Sequence, residues 1–96
     1  MARFDVYRLG GGYVLDCQTN AFSGLDTRFV APLIPIGEVP QVRGLNPVFE
    51  VGGERLVMAT QFAGPVPARR LKSRIASLEE QDHVILNAFD MLLTGY

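Results

Sequence analysis

The stretch VFEVGGERLVMAT, residues 48–60, contains two short segments rich in apolar and β-branched residues on either side of Gly52-Gly53. Residues 48–51 and 55–60 have the composition of β-strands. Two consecutive glycines supply the positive backbone angles that a two-residue hairpin turn requires. This is the clearest hairpin in the chain, and it predicts an antiparallel sheet.

Three further strands are predicted from the same signals, at residues 4–9, 13–18 and 28–36. Gly10-Gly11-Gly12 provides the turn between the first two. Pro32 and Pro35 each remove a backbone donor from the third strand, which therefore has an edge or a bend. The prolines in Gly64-Pro65-Val66-Pro67 exclude that segment as a central strand or a helix.

One helix is predicted near the end of the chain. Ser77-Leu78-Glu79-Glu80 has the pattern of a capping box, in which Ser77 opens the helix and Glu80 reaches back to it. Gly95 then ends the helix, as a glycine after the last turn commonly does. At 100° per residue one face of this helix is apolar, with Leu78, Ile85, Ala88, Phe89 and Leu92.

This apolar arc is wider than a helix needs in order to pack on one sheet. Val84 and Met91 extend it on one flank, and Leu86 and Leu93 extend it on the other. Two interpretations remain open. Loops cover both flanks of the helix, or one flank meets a second chain, because small domains with surplus apolar surface often pair.

A chain of 96 residues accommodates one domain, residues 1–96, because two cores do not fit in that length. Nine basic and ten acidic residues give a net charge of −1, which argues against binding nucleic acid through bulk positive charge. The single cysteine, Cys17, makes no internal disulfide, and no signal peptide or membrane-spanning segment is recognisable. We expect a soluble, cytoplasmic protein that makes no membrane contact.

Residues with reactive side chains are few and dispersed. His83 has no second ligand or triad partner at a matching spacing, so an exposed helix histidine is the favoured interpretation. Cys17 lies in an apolar strand and is expected to be a buried structural thiol. The basic cluster Arg69-Arg70-x-Lys72-x-Arg74 is favoured as a solvated segment over a phosphate-binding one. The residues therefore predict no catalytic site and no metal site, and a small β-rich domain that acts by binding.

Five short motifs occur in an order and spacing that resemble the CcdB toxin family. They are Phe4-Asp5-Val6-Tyr7, Leu15-Asp16-Cys17-Gln18-Thr19, Pro32-Leu33, Asn46-Pro47-Val48-Phe49 and Leu92-Leu93-Thr94-Gly95-Tyr96. Residues 78–88 also resemble the family's final helix. The resemblance implies an α+β, mostly β fold: an SH3-like (CcdB/MazF-type) barrel of antiparallel strands with a C-terminal α-helix.

The resemblance also implies a function. It implies a homodimeric toxin of a toxin–antitoxin system, which binds DNA gyrase A, the DNA-cleaving subunit of gyrase, and poisons it on cleaved DNA. A CcdA-like antitoxin would neutralise it. No cofactor, no catalytic residue and no direct sequence-specific contact with nucleic acid belong to this activity.

Particular residues carry these roles over from the family. The implied gyrase-binding residues are at the helix end: Asp90, Leu93, Thr94, Gly95 and Tyr96. The implied antitoxin-binding residues are Ala21, Phe22, Asp90 and Leu93. The family has a tryptophan where this chain has Thr94, and Tyr96 is an aromatic residue displaced from that position by two.

Two other functions remain open. MazF-like ribonuclease toxins use the same barrel, and their chemistry requires basic and acid–base side chains around one groove. Arg69, Arg70, Arg74 and His83 are the only candidates for it here. The other alternative is an inactive homologue that only binds the antitoxin.

Overall fold

The computed structural model describes residues 2–95, which form one curled antiparallel sheet and a C-terminal helix. The strands are β1 (Asp5–Leu9), β2 (Gly12–Asp16), β3 (Thr27–Pro35), β4 (Val48–Val51), β5 (Glu54–Met58), β6 (Gly64–Pro67) and β7 (Arg74–Ser77). They are ordered β4-β5-β3-β2-β1-β7, with β6 also paired to β3. Helix α1 is Asp82–Thr94. The α+β, mostly β fold expected from the resemblance is confirmed, with the antiparallel strands curled into a half-barrel.

The glycine hairpin is confirmed. Val51 pairs with Glu54, and Gly52 and Gly53 occupy the turn with φ angles of 59° and 82°. Both values lie in the left-handed region that glycine adopts without steric cost, which is the geometry of a two-residue hairpin turn. The sequence predicted this connection because its turn chemistry is entirely local.

The sheet buries side chains on both of its faces. Leu15, Ala31 and Val6 point to the face on which the helix packs, where Ile85 and Ala88 are fully buried. Their neighbours along the strands, Tyr7, Val14 and Val30, form a smaller cluster on the opposite face together with Leu71, which comes from the segment after β6. We call these the helix face and the second face.

Strand β3 changes its partner partway along its length. One edge pairs with β2, while the other edge pairs with β6 over residues 27–30 and with β5 over residues 33–35. Pro32 lies where one partner gives way to the other, and its carbonyl oxygen accepts a hydrogen bond from the Ala59 N–H at that edge. The interruption expected from Pro32 therefore coincides with this change of partner, since proline offers no N–H there.

Residues 68–73 cross the second face between β6 and β7, and we call them the strap. Leu71 points inward and is 4% exposed, against the cluster that contains Tyr7 and Val14. Strand β7 then pairs with β1. The sequence analysis predicts no strand in this segment, because Arg74–Ser77 is short and has no alternating pattern. Strand β6 pairs with β3 off the main strand order, in agreement with the exclusion of a central strand there.

The helix begins later than the capping pattern predicted. Ser77 is the last residue of β7, paired with Asp5, and its hydroxyl accepts from the N–H of Glu79 at 3.3 Å. The N–H of Leu78 donates to the carbonyl of Phe4 at 2.8 Å. These sheet contacts hold residues 77 and 78 in the ladder, so a short 3₁₀ turn (Glu79–Gln81) precedes α1 and no side chain caps it. The predicted capping box is wrong.

An ion pair lies buried between β2 and β3 on the second face. The Nε and Nη2 atoms of Arg28 donate to Oδ2 of Asp16 at 2.8 and 2.5 Å, and both side chains are fully buried. The N–H of Gln18 donates to Oδ1 of the same carboxylate at 3.1 Å. Burial, followed by the charges of Asp5 and Asp16, raises the pKa of Tyr7 on this face. The sequence analysis did not identify this pair.

We expect Arg28→Met to destabilise the fold by about 3–5 kcal/mol, because it leaves the Asp16 carboxylate buried without its countercharge. Replacing both partners, as Asp16→Leu with Arg28→Met, should restore part of that loss, since no charge remains buried. Urea unfolding measures both variants. Arg55→Met is the matched control, as Arg55 is exposed opposite Glu50, and it should change stability by less than about 0.5 kcal/mol. A double variant no more stable than the single one would contradict this explanation.

Candidate functional site

Helix α1 ends in a left-handed glycine. Gly95 has a φ of 82°, and its N–H donates to the carbonyl oxygen of Met91 at 2.9 Å. The hydroxyl of Thr94 donates to the carbonyl oxygen of Asp90 at 2.6 Å. The first of these bonds uses a carbonyl group that a helix end otherwise leaves unpaired. The second adds a side-chain donor to a carbonyl of the last helical turn. The end of the helix predicted from Gly95 is confirmed, and Tyr96 lies outside the described residues.

The last turns of α1 expose apolar side chains. Leu93 is 78% exposed and Leu92 is 43% exposed. Asp90 and Thr94 are also exposed. A leucine exposed to this extent contributes little to the core, so it is available for contact with another molecule.

An apolar groove of about 390 Å³ runs between the helix and the sheet. Its lining is Cys17, Phe29, Thr60, Gln61, Ala63, Leu86, Phe89, Leu92 and Leu93. The rings of Phe29 and Phe89 contact each other with centroids 5.7 Å apart and planes inclined by 53°. Phe89, which the helix pattern placed in the core, is half-buried because its ring forms part of this wall.

The two flanks of the helix have different environments. On one flank the loop at Gly44 lies against Met91, so closely that a Cβ at residue 44 would stand 2.7 Å from the Met91 Cε atom. On the other flank Leu86 and Leu93 remain exposed beside the groove. The interpretation that loops cover the helix is thus correct for the Met91 flank. The flank with Leu86 and Leu93 is not covered and is open to a partner.

Hydrogen bonds from two buried side chains hold the far wall of the groove. The Asn46 side-chain amide donates to the Met58 carbonyl at 3.0 Å and to the Gln61 Oε1 atom at 2.8 Å. The hydroxyl of Thr60 donates to the Leu45 carbonyl at 2.5 Å. Asn46 is 1% exposed, so Thr60 and Gln61 are attached to a rigid part of the core.

The loop predicted to contact partners forms a short 3₁₀ turn, Asn20–Phe22. Phe22 is 59% exposed and Ala21 is exposed beside it. The Gln18 side chain ties this turn to β3, because its amide donates to the Phe22 carbonyl at 2.8 Å and its amide oxygen accepts from the Phe29 N–H at 3.0 Å. The turn therefore presents Phe22 to solvent from a fixed backbone.

The structure brings together some of the residues expected at a site. Leu93 lines the groove, and Asp90, Thr94 and Gly95 lie within one turn of it along the helix. Ala21 and Phe22 form a separate exposed surface outside the groove lining. The sequence analysis missed Phe29, Thr60, Gln61 and Ala63, which come from distant segments that only the sheet topology brings beside the helix. The one local signal was the large apolar side chain of Phe29 in a predicted strand.

The residues considered for catalysis lie on three different segments: Arg69 and Arg70 on the strap, Arg74 on β7 and His83 on α1. His83 is exposed on α1, with its Nδ1 atom 3.6 Å from Oδ1 of the neighbouring Asp82. The Nε atom of Arg74 contacts the Asp5 carboxylate at 3.1 Å. Arg69 and Arg70 lie on the strap, over the second face. Within the described chain, no group of three or more acidic, histidine or cysteine side chains could hold a metal ion.

No helix in residues 2–95 combines the length and the apolar character that crossing a bilayer requires. Comparison with protein-family models matches residues 3–95 to the family described as CcdB protein. A search of the curated proteins gives no match. The family match covers every element described above, from β1 to the end of α1.

Cys17 lies at the base of the groove, 9% exposed, and is a free thiol as predicted. Burial, followed by the charge of Asp16, raises its pKa to about 12. Because the thiolate is the reactive form, we expect Cys17 in the native protein to react with thiol reagents on the order of 10³-fold more slowly at pH 8 than an ordinary cysteine. The rate should rise about tenfold per pH unit below pH 12.

A disulfide exchange reagent followed by absorbance measures this rate, with the urea-unfolded chain as the reference for an unperturbed thiol. A native rate equal to the unfolded one at pH 8 would show that the thiol is not protected.

Proposed function

The chain belongs to the CcdB family and is therefore a toxin of the toxin–antitoxin type. From this premise we propose that it acts by binding DNA gyrase A and holding it on cleaved DNA. The observation that carries the proposal is the match over residues 3–95, which includes the helix end where the resemblance locates gyrase contact. The gyrase-binding residues we propose are Asp90, Leu93, Thr94, Gly95 and Tyr96.

The exposure of the helix end supports this location. Leu93 projects into solvent beside exposed Asp90 and Thr94, on a helix whose last turn is fixed by the Gly95 and Thr94 hydrogen bonds. A rigid apolar tip loses little conformational entropy on binding. It therefore suits an interface in which a few side chains supply most of the affinity.

Thr94 is where this tip departs from the family. Its hydroxyl is already hydrogen-bonded to Asp90, and it presents no flat ring that could stack on a guanidinium group. Aromatic anchors are among the side chains that contribute most to interfaces. We therefore propose that this chain binds gyrase less tightly than a homologue with tryptophan at this position.

We also propose that the chain forms a homodimer through the apolar groove and the open helix flank. The residues we assign to this interface are Leu86 and Leu92, which are 37% and 43% exposed, and Phe29, which is 40% exposed next to them. A two-fold axis at this surface would bury the same apolar residues from both chains. The two helix ends would then lie close together and present the proposed gyrase surface twice.

The antitoxin partner is assigned to the exposed turn and the helix end, at Ala21, Phe22, Asp90 and Leu93. Phe22 supports this assignment because it is a large apolar side chain on a turn that Gln18 holds in place. Leu93 belongs to both proposed surfaces, so an antitoxin bound there would compete directly with gyrase.

Thr94→Trp should tighten binding to gyrase A by about tenfold, the contribution of one interface aromatic. Deleting Gly95 and Tyr96 should abolish binding without unfolding the protein, because α1 ends at Thr94. Calorimetry with purified gyrase A, together with gyrase-dependent DNA cleavage, measures both effects. Ile36→Trp is the control, since Ile36 is 44% exposed and lies outside the groove lining.

Two results would overturn the gyrase assignment. If the deletion binds as well as the native chain, the helix end is not the site. If neither the native chain nor Thr94→Trp binds gyrase A at all, gyrase is not the target, and assays for RNA cleavage and for antitoxin binding alone then distinguish the other two functions.

Leu86→Arg should convert the dimer to a monomer, because it places a charge in the apolar surface that pairs the two chains. Light scattering at micromolar concentration measures the mass, and Ile36→Arg should remain dimeric. A native chain that is monomeric under these conditions would refute the homodimer.

A further inference from the structure

The strap and the residues around it form a segment of one charge sign. No aspartate or glutamate occurs between Glu54 and Glu79, while Arg69, Arg70, Lys72 and Arg74 fall within six positions. The chain as a whole has a net charge of −1. The strap is therefore a local basic region on a protein that is nearly neutral overall.

The fold holds the strap in one conformation. Leu71 is buried in the second face, and its N–H donates to the Ala68 carbonyl at 3.1 Å. The N–H of Ala68 donates to the Asp26 carbonyl at 2.8 Å, and the N–H of Arg8 donates to the Ser73 carbonyl at 3.3 Å. The strap is thus fixed at its start, its middle and its end, with its basic side chains attached to ordered backbone.

Three of the four basic side chains form no ion pair within the described part of the chain. Arg74 contacts the Asp5 carboxylate at 3.1 Å. Arg69, Arg70 and Lys72 are exposed, and none of them forms an ion pair with any residue from 2 to 95. These three cations, which we call the strap cations, are oriented away from the second face because Leu71 occupies the inward position.

The outer surface of the strap contains charge without an apolar anchor. Leu71 is buried, Ala68 is half-buried, and the exposed strap residues are Arg69, Arg70, Lys72 and Ser73. Protein interfaces require buried aromatic or aliphatic side chains near their centre, and lysine is depleted there. This composition therefore favours a uniformly charged polyanion over a folded or peptide partner.

We propose that the strap cations bind the phosphate backbone of double-stranded DNA without reading its sequence. Arginine matches phosphate oxygens with two parallel hydrogen bonds, and duplex DNA carries about one negative charge per 1.7 Å of its axis. The strap has no aromatic side chain that could stack on an unpaired base. Duplex phosphates are accordingly the ligand that its chemistry fits.

This surface is independent of the proposed gyrase site. The strap covers the second face, whereas the groove and α1 lie on the helix face. DNA bound at the strap would leave the helix end uncovered. DNA binding is also measured on the free protein, with no gyrase present. Failure of either proposal therefore leaves the other unaffected.

The experiment titrates a fluorescent 20-base-pair duplex of arbitrary sequence with the native chain, at salt concentrations from 50 to 200 mM. Three phosphate contacts predict a slope of log K against log salt near −2.7, which is a loss of about 40-fold over this range. The triple variant Arg69→Gln, Arg70→Gln, Lys72→Gln should lose this binding. If both straps of a dimer bind one duplex, the slope of log K against log salt for the native chain doubles, and the triple variant still loses binding.

Arg43→Gln with Arg55→Gln is the control, because both arginines are exposed and lie outside the strap. It removes two positive charges, whereas the triple variant removes three. It should bind the duplex within about twofold of the native chain. Circular dichroism and urea unfolding check that the triple variant is folded, as expected for exposed positions.

Three outcomes would overturn the proposal. They are a triple variant that binds as tightly as the native chain, a control that loses as much affinity as the triple variant, and poly-glutamate of equal charge binding more tightly than the duplex. The last result would identify an acidic polypeptide as the ligand. A single-stranded RNA of equal length tests the other source of phosphodiesters, and tighter binding to it than to the duplex would also contradict the assignment to DNA.

Discussion

The fold depends on the contacts that converge on Asp16, at the end of β2. Its carboxylate accepts from the Arg28 guanidinium and from the Gln18 N–H, and its carbonyl accepts from the Phe4 N–H at 2.6 Å. A shift of β2 by one residue would turn Asp16 to the helix face, where it would be buried among apolar side chains without Arg28. The free-energy cost of burying Asp16 without Arg28 therefore disfavours the shifted register and fixes the pairing of β1, β2 and β3 together.

This register accounts for the backbone geometry around Phe4. Phe4 is 3% exposed and has a φ of 69°, a left-handed conformation that is unfavourable for a bulky residue. Its N–H is bonded to Asp16 and its carbonyl oxygen to Leu78, so two long-range contacts impose the conformation. The same contact with Leu78 delays the start of α1 and aims the helix across the sheet. The buried ion pair at the end of β2 therefore helps to position the start of α1, through the hydrogen bonds from Phe4 to Asp16 and from Leu78 to Phe4.

Local patterns predicted the elements that local chemistry determines. Gly52-Gly53 and Gly95 were identified correctly, because a positive φ is a property of one residue and its immediate neighbours. Ser77 was misassigned because its pairing with Asp5 is a contact across 72 positions, which outweighs a capping pattern of about 1 kcal/mol. Strand β7 was missed for the same reason, since its four residues are a strand only when β1 lies beside them.

The candidate site shows the same limit. Leu93 and Phe22 were predicted as contact residues through the resemblance to a family, and both are exposed. The position of Phe29 and Gln61 in the groove lining required the topology. The wide apolar arc of the helix was visible in the sequence, but its two flanks look equivalent there. Gly44 distinguishes them, because the absence of a Cβ lets the loop approach Met91. The sequence analysis likewise treated Arg28 only as the first residue of a strand. Its buried partner Asp16 is 12 positions earlier, and nothing local to Arg28 indicates that the two side chains meet in the core.

The two faces of the sheet differ in how they complete their burial, and this difference determines where the protein can meet partners. On the second face the chain covers its own cluster with Leu71 and directs charge outward. On the helix face α1 covers the centre with Ile85 and Ala88 but leaves Phe29, Leu92 and Leu93 exposed at one side. Covering that side with more of the chain would add stability at about 25 cal/mol per Å² of apolar area. Retaining it as exposed surface lowers the stability of the monomer, and the same area becomes a source of binding energy for any chain that covers it.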